Sequence, residues 1–473
     1  MKRRSMLAGI TAMTAAPLVT GCSSDDSAKA DITAAVATSV AHIIGATAIT
    51  EVFADGQKLT TVALKYDKEI ARSSVSLAAF RVKDRTVTNV YTNATAAKAG
   101  HGANGAYVII ELSPHDAAAR VYTDAFTGSS ASATGASSAG ASSTRPSGPP
   151  TGSASGERKG GGMSSGATLK TATAQVTQVA TVKTTDGDSY AASSTAVKTS
   201  KVVNLIVDDF QQGLKYTDSA TGSSLTYNLY IPEDYDKTKS YPLVLFMHDA
   251  GTTSTNPLIT LTHGLGAVVW ADPLWQQENP CFVLAPQFTD QTDEGSDGNA
   301  TALKTIKGLI DSVTSKYSVD KTRLYTTGQS GGAMTSIALD FTYPDLFAAS
   351  FLVAGQWEDL EAVKPLARQK IWAVVSQGDE TAYPGMTGIM DTITKEGTPV
   401  SRAVWNGQLT PSEFAPLTAE MRAKNTPVNF VALKKGTVVW PGLEESSVDN
   451  HICTWRAAYT ITGIREWVFE QKN

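Results

Sequence analysis

The 473-residue chain reads as an all-β sandwich followed by an α/β domain on a doubly wound, mostly parallel sheet. Three observations predict this. Between residues 45 and 209, short runs of alternating hydrophobicity such as ITEVFADGQKLTTVALKYDKEI and GAYVIIELSP are separated by polar turns, the texture of a sandwich. From residue 210 the runs become continuously apolar, as in YPLVLFM and CFVLAP, which suits strands buried on both faces. Between those runs lie stretches with helical spacing, such as ALKTIKGLIDSVTSKY, and strands alternating with helices imply a parallel sheet covered on both sides.

The elements follow in order. Lys2, Arg3 and Arg4 precede an apolar run over residues 6–19 and then LVTGC, ending at Cys22. This is the pattern of an export signal, and the run is too short for a permanent membrane span. LVTGC resembles a bacterial lipobox. That implies removal of residues 1–21, a lipid on the thiol of Cys22 as the new N-terminus, and an extracytoplasmic protein touching the membrane only through that anchor. Plain secretion is the alternative, and Arg3-Arg4 loosely fits a twin-arginine signal. Residues 23–44, small and polar to Ala-rich, read as a tether.

In the sandwich, 45–209, a hairpin is expected around Asp55-Gly56. Residues 128–166 are Gly/Ser/Ala/Pro-rich and cannot bury enough surface to order themselves. Because β-like runs resume in TATAQVTQVATVKT and KVVNLIVDDF, this tract reads as a loop inserted in one sandwich, with an interdomain linker as the other reading. The α/β domain is expected over 210–473.

With 42% hydrophobic residues, a formal net charge of −5 and no basic stripe, the chain is globular and offers nucleic acid no electrostatic footprint. Cys281 and Cys453 are expected at opposite ends of the parallel sheet. A strand spans roughly 17–20 Å, against a limit of about 7 Å between the Cα atoms of a disulfide, so both should be free, buried thiols.

Two segments match Gly-x-Ser-x-Gly: Gly162 to Gly166 and Gly328 to Gly332. The first lies in the low-complexity tract with no strand before it. The second has RLYTT as strand, GQSGG as turn and AMTSIALDF as helix, the context that exposes a nucleophilic serine, here Ser330. A hydroxyl needs a base, and the base needs an orienting acid. Of six histidines only His451 follows Ser330. Asp379, at the end of KIWAVVSQGD, suits the acid, with Glu380 as nearest rival; Asp449 is too close to His451 in sequence, and Asp340 and Asp345 belong to the helix after the nucleophile.

The oxyanion formed on attack needs donors: the Gly331 N–H, and one from the HDAG loop after an early strand, Asp249 before Ala250. His248 reads as support for that loop. Trp270, Gln287 and Trp357 flank strand ends and are candidates for the substrate pocket, although core packing suits the tryptophans equally. The acidic loop 290–299 lacks calcium-loop spacing and reads as solvated. No metal or cofactor is called for.

The blocks YNLYIPEDYD, YPLVLFMHDAG, VVWADPLWQQENPCFVLAPQ, VDKTRLYTTGQSGGAMT, SQGDETAYPGM and NHICTWRAAYTITGIREWVFEQ together resemble the esterases related to polyhydroxybutyrate depolymerases, in the α/β-hydrolase superfamily. The upstream β region resembles the immunoglobulin-like N-terminal domain of some of them. The resemblance implies a serine esterase acting on short-chain, polyester or phenolic esters, with Ser330, Asp379 and His451 as triad. One departure is Gly331, where relatives often carry Met, which removes a side chain beside the acyl group. A serine peptidase on the same fold and a non-catalytic surface binding protein are the competing readings.

Overall fold

The computed structural model describes residues 41–123, 167–290, 295–440, 443 and 445–473. The export signal, Cys22, most of the tether, and the tract 128–166 with its Ser164 motif lie outside them.

The first part holds a five-stranded sheet in the order Lys201–Asn204, Ile43–Phe53, Gly56–Ile70, Gly105–Leu112, Val87–Asn93, faced by a three-stranded sheet of Val197–Lys198, Gln175–Gln178 and Phe80–Val82. Period-two alternation sends Val62, Leu64, Tyr66, Val108 and Ile110 inward against Phe80, Val82 and Val176. Tyr66 Oη donates to Gln178 Oε1 at 2.8 Å inside this core, and Gln178 Nε2 donates to Tyr190 O at 2.9 Å. Tyr122–Thr123 pairs with Thr168–Leu169, so strands on either side of the low-complexity tract hydrogen-bond to each other. The first hairpin turns at Ala54-Asp55, one residue before the expected pair: Gly56 already opposes Phe53. Its φ of +106° and the Tyr122 ring, 2.5 Å from where a Cβ would stand, both demand glycine.

The second part is a nine-stranded sheet: β1 (Phe210–Thr217), β2 (Ser224–Tyr230), β3 (Tyr241–Met247), β4 (Phe282–Gln287), β5 (Val319–Gln329), β6 (Ala349–Val353), β7 (Ile371–Ser376), β8 (Val400–Trp405) and β9 (Val428–Leu433). Their order is β1-β2-β4-β3-β5-β6-β7-β9-β8. β1 and β2 are antiparallel to their neighbours and the rest are parallel. Every residue of β3, β4, β6, β7 and β9 is buried, which explains their predominantly apolar sequences.

Helices cover both faces. On one, α1 (Ala300–Lys316), α2 (Gly331–Thr342) and α3 (Ala382–Lys395) bury Ile306, Leu309, Leu339, Met386 and Ile389 against Leu243, Leu245, Leu352 and Ala373. On the other, α5 (Ser447–Ala458) and α6 (Ile464–Glu470) bury Trp455, Ile464 and Trp467 with Val244, Phe246, Phe351 and Trp372; α4 (Pro411–Ala423) adds Phe414. Both cysteines lie in this second layer, free and buried. Burial pushes the Cys281 thiol up to about 12.

The two parts form one compact unit. Val52 and Ile206 of the first pack on the core of the second.

Candidate active site

β5 ends at Gln329, α2 begins at Gly331, and Ser330 alone makes the turn, with φ 51° and ψ −120°. A non-glycine residue there costs of order 1–3 kcal/mol and persists only where the surroundings over-determine it. They do. A Cβ on Gly328 would sit 2.4 Å from the Gly332 carbonyl, and one on Gly332 2.1 Å from Met247 O, so the strand, the helix and the end of β3 meet without room for side chains. Ser330 N–H donates to Val353 O at 3.0 Å, fixing the elbow to β6.

Ser330 Oγ lies 2.8 Å from His451 Nε2, and His451 Nδ1 lies 2.5 Å from Asp379 Oδ2. Asp379 stands beyond the end of β7 and is almost fully buried, whereas the His451 side chain is 28% exposed and open to a ligand. Asp379 Oδ1 accepts from the N–H groups of Ala382 at 2.8 Å and Thr381 at 3.1 Å. Burial pushes the Asp379 carboxyl up, but the bonds from His451, Ala382 and Thr381 outweigh it and hold the carboxyl below its ordinary value. A carboxylate on Nδ1–H leaves Nε2 as the acceptor, the tautomer that takes a proton from a hydroxyl.

The rivals sit elsewhere. Glu380 is exposed, its N–H donating to Ser447 Oγ at 2.9 Å. Asp449 lies in the first turn of the helix Ser447–Ala458, its carboxylate accepting from the N-cap Ser446 Oγ at 2.5 Å.

His451 rides on α5, and α5 is tied to β7 by the residue before it. Asn450 is fully buried: Oδ1 accepts from Ser376 Oγ at 2.8 Å, and Nδ2 donates to Ser446 O at 2.9 Å. A Cβ on Gly378 would come 2.3 Å from Asn450, so the loop of Asp379 and the helix of His451 pack directly. Sequence reasoning did not single out Asn450. Its adjacency to the one downstream histidine is the signal that was there.

Gly331, as the first residue of α2, has an N–H with no intrahelical partner. Beside it, the turn after β3 carries Asp249 and Ala250, held close because Gly332 packs on Met247 O and His248 O. His248 is fully buried and supports this turn. Its Nδ1 donates toward Asp249 O at 2.8 Å, and its Nε2 accepts from Phe288 N–H at 3.0 Å and faces Gln287 Nε2 at 3.1 Å. Burial holds its pKa far below the ordinary value, so it stays neutral.

Two pocket candidates prove structural. Trp270 is wholly buried, stacked on Phe469 and edge-on to Trp275, because the helical turn that carries it faces the core layer under α6. Gln287 is 1% exposed, accepting from Thr260 N–H and donating to Thr252 O, since inward-facing polar ends of β4 are needed to satisfy that loop. Trp357 does border a cleft of about 350 Å³, with Gln356, Leu360, Thr381, Pro384 and Gly385. Among the described residues no cluster of side chains could hold a metal ion.

Residues 45–191 match the family described as the esterase Ig-like N-terminal domain. A solved thermostable esterase superposes with a TM-score of 0.69 at 24% identity, over 91% of this chain and all of that one. Among curated proteins, acetylxylan esterase A of Aspergillus ficuum is 27% identical over 150 residues, 31% of this chain and 46% of the relative. Poly(3-hydroxyalkanoate) depolymerase C of Paucimonas lemoignei is 28% identical over 155 residues, 29% of this chain and 36% of the relative. The chain thus spans less than half the length of these two curated relatives.

Proposed function

We propose that this chain, an α/β-hydrolase fold behind an immunoglobulin-like N-terminal domain, is a serine carboxylic-ester hydrolase that works through an acyl-enzyme. The observation that carries the reading is the continuous chain of hydrogen bonds from Ser330 through His451 to Asp379 on a positive-φ turn. His451 Nε2 takes the Ser330 proton as Oγ attacks the ester carbonyl, and the Asp379 carboxylate steadies the imidazolium. The N–H groups of Gly331 and of the Asp249-Ala250 turn receive the oxyanion, each contributing roughly 3 kcal/mol in the transition state. His451 then passes the proton to the leaving alkoxide, and water repeats the sequence to free the acid.

The names of the relatives, an acetylxylan esterase and a polyhydroxyalkanoate depolymerase, support esters as the substrate class and short acyl groups within it. Export and lipidation at Cys22 complete the reading, and place the reaction outside the cytoplasm on a membrane-tethered enzyme.

The test is hydrolysis of a short-chain aryl ester by the full chain, beside Ser330→Ala, with the matching anilide in parallel. A burst of aryl alcohol from wild type, absent in Ser330→Ala, with the anilide cleaved far more slowly, is the expected outcome. A folded wild type with neither burst nor turnover sinks the assignment, and equal cleavage of the anilide turns it into a peptidase.

A further inference from the structure

One buried polar cluster takes no part in the proton transfers above. Asp249, Gln329 and His263 meet beside the elbow, each less than a tenth exposed. Gln329 Nε2 donates to Asp249 Oδ2 at 2.9 Å and to His263 Nε2 at 3.0 Å. Thr252 Oγ1 adds a longer bond to Asp249 Oδ2 at 3.4 Å. His263 Nδ1 lies 3.0 Å from Ile259 O, so a ring proton sits there; Nε2, the acceptor for Gln329 in the neutral ring, also lies 3.6 Å from Asp249 Oδ2. The reverse orientation of the Gln329 amide would set its oxygen against the Asp249 carboxylate, which favours the one described, in which Oε1 has no partner among the described residues.

The place of this cluster gives it a role. The β3/β5 ladder ends at the pair Met247 and Gly328. Past that pair the two chains part, one into the turn bearing the oxyanion donors and the other into the elbow bearing Ser330. No backbone bond then sets the spacing between donor and nucleophile. Beyond the ladder, besides the packing of Gly332 on His248 O, the two chains are linked by the side-chain bond between Asp249 and Gln329, the residue immediately before Ser330. Burying a carboxylate is costly unless it is well paired, and this one is paired across the gap whose width the reaction depends on.

We propose that Gln329 and Asp249, seated on His263, are positioning residues that hold the oxyanion turn at its working distance from Ser330. The N-terminal sandwich closes the outer side of this clamp. The Tyr122 ring lies 6.4 Å, centroid to centroid, from that of His263, and a Cβ on Gly264 would come within 3.5 Å of Ala54 O. The sandwich therefore bears on the oxyanion turn through His263.

This inference rests on the serine-esterase reading. Its test is the variant Asp249→Ala, which removes the carboxylate and keeps the backbone N–H. Gln329→Leu breaks the bond from the other side, and Asp249→Asn keeps an acceptor for Gln329. Each is assayed for kcat and KM on the aryl ester, for inhibition by an alkyl boronic acid that mimics the tetrahedral oxyanion, and for thermal unfolding. Expected are a fall in kcat of about 10- to 100-fold for the first two with KM within about twofold, a parallel weakening of the boronate, and most activity restored in Asp249→Asn. Should Gln329→Leu not fold, the Asp249 pair carries the comparison alone. Unchanged kcat and boronate affinity in folded variants overturn the inference while wild-type activity, absent in Ser330→Ala, leaves the esterase reading standing. An inert wild type removes both.

Discussion

Replacing Asp340 by Asn should make stability less sensitive to pH. Asp340 lies in α2, the helix that follows Ser330, and is 1% exposed. Oδ1 accepts from Ser350 Oγ at 3.0 Å, and Oδ2 has no partner among the described residues. Burial pushes its carboxyl up from 3.8 to about 7, against the lowering by Ser350. As pH rises from about 4 to 7 the unfolded chain has released this proton and the folded chain keeps it, so stability falls with pH in that window. The difference is about three pKa units at roughly 1.4 kcal/mol each, or about 4 kcal/mol lost by pH 8 relative to pH 4. Asparagine keeps the bond from Ser350 and cannot ionise. Urea unfolding of wild type and Asp340→Asn at pH 5 and pH 8 isolates this group, because all other titrations cancel in the double difference. The variant should gain about 2–3 kcal/mol on wild type between the two pH values. A double difference near zero would refute a carboxyl kept protonated by burial.

Three further outcomes are expected. Asp379→Asn leaves the site geometry in place but favours the wrong imidazole tautomer, so kcat on an aryl ester should fall by about 10⁴-fold, with the Tm little changed. Gly332→Ala has no way to fit a Cβ 2.1 Å from a backbone oxygen, so it should yield no folded protein, read by loss of a cooperative thermal transition. Tyr66→Phe deletes the bond to Gln178 and leaves a buried acceptor unpaired, costing about 1–2 kcal/mol in urea unfolding without changing kcat.

What could be read in advance follows burial. Most central strands are predominantly apolar because helices cover both faces, and that pattern survives without knowledge of the fold. β1 and β8 lie at the sheet's two edges and were not foreseen: in FQQGLKYT only Phe210 is buried, and in VSRAVW Val404 is 58% exposed. Strand context and chain order left one serine and one histidine, Ser330 and His451, and the strand end favoured Asp379 over Glu380; the structure sets these three within hydrogen-bond distance. Gln287 and Trp270 show the boundary of that logic. Being near a strand end says nothing about which way a side chain points, and theirs point into the core. Gln329 and His263 gave no local signal, because their partners are 80 and 66 residues away in the chain, and Asn450, bonded 74 residues away, offered only its place beside His451.

These long-range polar bonds are where the strained turn at Ser330 finds its support. A serine held at positive φ relaxes unless its neighbours are fixed from several directions. Here Val353 O holds its N–H from β6, the glycine contacts lock α2 on β3, and Asn450 anchors α5 to the end of β7. The Gln329 amide then ties the strand's last residue to the turn after β3. Each tie lies at the carboxyl ends of the strands, where the ladders have stopped and the chains diverge toward different helices. Side chains replace the backbone as the frame at that edge of the sheet. Polar groups are buried there because only directional bonds can hold reacting atoms to a few tenths of an ångström, a precision that apolar packing supplies less well.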